Sequence, residues 1–132
     1  MPRALRPRVR GRPVVAVDLT LAATGRQRRR DLLADTGAGA AHGGFETLLE
    51  ESDCLLCGGI PAPAVDLGGA YVGPFPVYLI RVQIPALGFD HSVRAVGVQQ
   101  VPAGLGGVAG FRLLNRFTYG NFGDSKQFGL AT

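Results

Sequence analysis

The chain has 132 residues, 46% of them hydrophobic, for which one compact domain rather than two is expected. Twenty glycines and nine prolines argue against a helical bundle and for short strands joined by turns. Fourteen Lys and Arg against ten Asp and Glu give a formal charge of +4, and two cysteines are too few for a disulfide framework.

The positive excess is local. Arg3, Arg6, Arg8, Arg10 and Arg12 crowd the start, among Pro2, Pro7 and Pro13, so residues 1–12 read as a flexible basic arm. Arg28, Arg29 and Arg30 read as an exposed strand end. Neither cluster has interleaved aromatics and the chain has no Trp, so no stacking platform for single strands is visible and nucleic acid is not an expected partner. No apolar run reaches the length of a membrane span, and none follows the basic start as a signal-peptide core would. A soluble, cytoplasmic protein with no membrane partner is expected.

A single domain is expected from residue 13 to 132. Val14 to Leu21 places Val15, Val17, Leu19 and Leu21 on one face and predicts a strand. Thr24-Gly25-Arg26 predicts a turn and Arg28 to Ala34 the returning strand. Small residues then break the pattern at Asp35-Thr36-Gly37-Ala38-Gly39. Phe45, Leu48 and Leu49 fall at helical spacing, predicting a helix over 45–52, and 58–63 reads as a loop. Strands are expected over 64–72, 75–84 and 91–98, a short helix over 111–117, and a closing hairpin over 122–130. The fold class is therefore all-β with one or two short helices.

Two small motifs carry weak metal or nucleotide signals. Cys54-Leu55-Leu56-Cys57 is half a zinc site, with only His42 and His91 to complete it, and reads as ordinary cysteines. Gly37 to Gly43 misses the dinucleotide-binding spacing and has no alternating strand–helix units around it.

The segment Leu32-Leu33-Ala34-Asp35-Thr36-Gly37-Ala38 is an apolar strand ending in a carboxylate inside a tight turn. It resembles the motif of the retroviral-type, single-lobe aspartic proteases. Val108-Ala109-Gly110 followed by Phe111 to Phe117 looks like that family's second signature, two apolar residues and a glycine before a short helix. Between them, Leu67-Gly68-Gly69-Ala70-Tyr71 stands where the family has its glycine-tipped flap. Two departures are visible. Phe111 and Arg112 stand where many members have a charged residue followed by an acidic or amide one, and the flap has one glycine fewer than is common.

The resemblance implies a closed or partly orthogonal β-barrel with a short carboxyl-terminal helix. It further implies a homodimer joined at the terminal strands and the Asp-Thr-Gly loops, and endopeptidase action on polypeptides with no metal and no organic cofactor. Asp35 would be the catalytic residue, Thr36, Gly37 and Ala38 its loop, and Gly68 and Gly69 the mobile flap tip. Because Asp-Thr-Gly occurs once, the second carboxylate of the dyad would come from a second copy. The competing expectation is a catalytically inactive module of the same fold that binds peptide or nucleic acid.

Overall fold

The computed structural model describes residues 2–39, 44–65 (the backbone alone from 60 to 65) and 75–132. Its strands are β1 (Arg3–Pro7), β2 (Val14–Thr20), β3 (Gln27–Ala34), β4 (Thr47–Glu50), β5 (Ile60–Val65), β6 (Phe75–Ile84), β7 (Phe89–Val98), β8 (Gly107–Ala109), β9 (Thr118–Gly120) and β10 (Gln127–Ala131). Two helices, α1 (Glu51–Leu56) and α2 (Phe111–Leu114), and a 3₁₀ turn at Pro85–Leu87 complete the elements.

Seven strands pair in the order β2-β3-β8-β4-β7-β6-β5, and β2 pairs again with β6. That last pairing, Asp18 with Gln83 and Leu19 with Val82, closes six strands into a barrel, with β5 outside the ring. Closure removes the free edges that the six ring strands would otherwise expose. A second, three-stranded sheet runs β1-β10-β9. The all-β barrel with a short helix near the carboxyl terminus is thus the fold expected from the sequence.

The barrel interior follows from alternation. Val15, Val17 and Leu19 of β2 meet Leu32 of β3, Ile80, Val82 and Ile84 of β6, and Val93 and Ala95 of β7 in one buried cluster, capped by Leu113 and Leu114 of α2. Burying such aliphatic side chains contributes about 1.5–3 kcal/mol each. A smaller cluster, Phe45, Leu48, Val77, Val96, Val98 and Val108, lies on the other face of β4, β7 and β8.

Several expectations are corrected. Residues 1–12 are not a flexible arm: β1 pairs with β10 from Arg3–Ala131 to Pro7–Gln127. Ala4 packs on the core while Arg6 forks onto both oxygens of Asp31, at 3.0 and 2.8 Å. Pro7 is tolerated because β1 is an edge strand. The helix expected over 45–52 is strand β4 followed by α1. Strand β4 lies between β7 and β8, so Thr47, Leu48 and Leu49 are all buried and the alternation that marks a half-exposed strand is lost.

Residues 60–63, expected as loop, belong to β5. The helix after Gly110 is shorter than 111–117, ending at Leu114, and the closing hairpin is β9 with β10 rather than 122–130. Of the strand expected over 64–72, only its start falls within β5, and the rest lies outside the described residues. Among the described residues, no helix is long and apolar enough to cross a membrane.

Candidate active site

Asp35 follows the last residue of β3, at the barrel end where β8 also finishes and β2 and β4 begin. Strand β8 fixes its position. It runs parallel to β3, with Leu33 beside Val108 and Ala34 beside Ala109, and antiparallel to β4, with Thr47 beside Ala109. The two sequence signatures, 108–110 and 34–37, are therefore neighbours in one sheet.

Hydrogen bonds hold the loop from both sides. Asp35 N–H donates to Ala109 O at 3.0 Å, and Ala34 N–H donates to Pro13 O at 2.9 Å. Phe111 N–H donates to Ala38 O at 2.8 Å, and Ala38 N–H returns to Asp35 O at 3.2 Å. Within the loop, Gly37 N–H donates to Asp35 Oδ1 at 2.9 Å. Asp35, Thr36 and Gly37 are exposed, and Ala38 is half-buried.

The glycines of the motifs have steric reasons. A Cβ on Gly110 would lie 2.8 Å from Ala38 O and 3.3 Å from Glu46 O, both backbone atoms. Only a residue without a side chain lets β8 end this close to the Asp35 loop. A Cβ on Gly37 would lie 3.3 Å from Asp35 Oδ1 and crowd the carboxylate.

Glu46 was not singled out from the sequence, yet it anchors this end of the barrel. Its carbonyl accepts Gly110 N–H at 2.9 Å, its Oε2 accepts Arg94 N–H at 2.7 Å, and its Oε1 pairs with Arg116 at 3.4 Å. Arg116 also lies 5.7 Å from the ring centre of Phe89. An ion pair therefore exists beside the second signature, supplied by Arg116 rather than by residues 111 and 112. Glu46, Phe111, Arg112, Asn115 and Arg116 line an open cleft of about 390 Å³ there. The only sequence signal for Glu46 was an isolated acid just before an apolar run.

Leu67, Gly68, Gly69, Ala70 and Tyr71, expected as a flap, lie outside the described residues, as does His42. Cys54 is buried and Cys57 half-buried, both as free thiols, and burial pushes Cys54 up to about 12. Among the described residues, no cluster of three His, Cys, Asp or Glu is placed to hold a metal ion.

The Arg28–Arg30 run, expected as an exposed strand end, is engaged in ion pairs. Arg30 forks onto Asp53 at 2.8 and 3.1 Å, Arg28 lies 3.6 Å from Asp53, and Arg29 pairs with Asp18 at 3.2 Å. No protein-family model matches the chain, and neither does any curated protein or solved structure.

Proposed function

We propose that the chain is one half of an aspartic-type endopeptidase, completed when two copies bring their Asp35 carboxylates together across a two-fold axis. The observation that carries the reading is the position of Asp35. It is an exposed carboxylate on a loop clamped to Ala109 and Phe111, at the end of a parallel strand pair formed by the two signature segments.

Hydrolysing a peptide bond without a covalent intermediate needs a base to activate water and an acid to protonate the leaving amine. One Asp35 per chain supplies one group. Two carboxylates about 3 Å apart cannot both ionise, so they share a proton, as in the aspartic-protease dyads that serve as general examples of the effect. The ionised member takes a proton from water as the oxygen attacks the scissile carbonyl. The protonated member polarises that carbonyl, and a proton then passes to the departing nitrogen. Gly37 N–H already donates to Asp35 Oδ1, which fixes the carboxylate plane.

The dimer contact would run through the exposed 35–37 loops. The terminal strands contribute differently from the simplest expectation, because β10 already has β1 on one side and β9 on the other. The outer edges of β1 and β9 remain, with Leu5 and Tyr119 exposed on them. A polypeptide substrate would lie extended across the paired loops. The free thiols Cys54 and Cys57 suit a reducing compartment, the cytoplasm.

The test is proteolysis of a reduced, alkylated protein substrate over a range of pH. Cleavage that is blocked by a hydroxyl-bearing peptide isostere of the pepstatin type, and abolished in Asp35→Asn, supports the reading. Cleavage that persists in Asp35→Asn rejects it.

A further inference from the structure

The chain enters β2 through a tight turn. Val9 and Arg12 exchange both backbone hydrogen bonds, each at 3.0 Å, and the tip residues Arg10 and Gly11 have φ of 52° and 75°. Two successive left-handed residues are the geometry that favours Asn-Gly. An arginine at the first position is held in a conformation that L side chains resist, and it is exposed. Strain retained at a charged, exposed tip points to use of that side chain.

A second observation comes from the flanking guanidinium groups, which are held by carbonyls rather than carboxylates. Arg8 Nε donates to Ser125 O at 3.1 Å and its Nη1 to Gly11 O at 3.5 Å. Arg12 Nη2 donates to Ala103 O at 2.7 Å and its Nε to Val9 O at 3.5 Å. Lys126 is adjacent, its carbonyl accepting Arg8 N–H at 3.0 Å. Among the described residues, acids pair with Arg6, Arg28, Arg29, Arg30, Arg81 and Arg116, but not with Arg8, Arg10, Arg12 or Lys126. Of the eight basic side chains without an acidic partner among the described residues, these four gather at one turn, while Arg3, Arg26, Arg94 and Arg112 lie outside it. Asp124 is beside the turn, its Oδ1 accepting Lys126 N–H at 2.9 Å.

We propose that the 8–12 turn, with Lys126, is a contact surface for the phosphate backbone of double-stranded nucleic acid. Carbonyl-held guanidinium groups keep their full charge and have already lost much of their side-chain freedom, so less is lost on binding. Each keeps N–H donors unspent for a phosphate oxygen. A peptide would need side-chain pockets, a bilayer would need apolar residues to insert, and a single strand would need aromatic platforms. The turn tip offers Arg10 and Gly11 instead. A duplex backbone asks only for fixed cations. This surface does not depend on the peptidase reading.

The experiment is fluorescence anisotropy of a labelled duplex DNA of arbitrary sequence with the full chain, titrated over salt. Four phosphate contacts predict a slope of log K against log salt of about −3.6. Arg10→Asn suits the left-handed φ, so it should keep or raise the melting temperature while weakening binding several-fold and cutting the slope by about 0.9. Lys126→Gln should act in the same direction on binding, and Arg10→Lys should retain most of it. The proposal is overturned by no binding at about 50 mM salt, or by a slope unchanged in both charge-removing variants. Equal or tighter binding to polyglutamate or to anionic phosphatidylserine vesicles also overturns it.

Discussion

At the scale of single residues, the groups that shape the loop are distinct from Asp35, the carboxylate proposed to react. Asp35 is exposed and accepts one backbone hydrogen bond that an asparagine oxygen can also accept. Asp35→Asn is therefore expected to leave the melting temperature within about 2 °C while removing activity, which calorimetry and a proteolysis assay check together. Gly110→Ala should do the opposite in order of cause. Its new methyl meets Ala38 O at 2.8 Å, so the strand or the Asp35 loop must shift. A loss of about 1–3 kcal/mol in denaturant unfolding is expected, with activity lost as well. Cys54 is buried with its thiol pushed up to about 12, so at pH 8 a maleimide should reach it only after unfolding. Mass spectrometry of native and denatured samples decides that.

At the scale of elements, β3 has two duties: its end presents Asp35 and its middle ties the barrel to α1 through Arg30 and Asp53. Asp53 is only 4% exposed, and removing Arg30 takes away both of its close charge-assisted hydrogen bonds, leaving the longer Arg28 contact at 3.6 Å. Arg30→Ala is expected to cost about 3 kcal/mol, read from chemical denaturation. The Arg81–Asp90 pair between β6 and β7 is a contrasting case, because it lies at the surface. The Arg81 hydrogen bonds hold Asp90 at about 2, below the ordinary carboxylate range near 4. A depressed folded-state value means that the pair's contribution is present above about pH 4 and is lost as pH falls through about 2. NMR titration should find that midpoint, and Arg81→Ala should return it toward the ordinary range with little change in melting temperature. The elements legible in the sequence were the longer strands, in which the alternating or β-branched pattern runs for seven residues or more. Strand β2 alternates and β6 has the bounds its Val-, Tyr- and Ile-rich run predicts. Strand β4 was misread because neighbours on both sides bury consecutive residues, so a strand imitated helical spacing. Strand β1 was misread because its ordering depends on β10 and on Asp31, both remote in sequence. The Asp35 loop and Gly110 were visible as local motifs. Glu46 was not, since its role depends on contacts with Arg94, Gly110 and Arg116, at least 48 positions away.

At the scale of the whole molecule, a closed six-strand barrel carries the Asp35 loop at one end and leaves β1 and β9 as the outer edges of a separate small sheet. The central claim is that the reacting unit contains two chains, each giving one Asp35. Mixing wild-type and Asp35→Asn chains, unfolding and refolding them together, and measuring cleavage per total protein tests this most directly. If a pair of intact carboxylates is required, activity follows the square of the wild-type fraction, so an equal mixture retains about one quarter. If each chain acted alone, the same mixture would retain about one half, and that result would contradict the account.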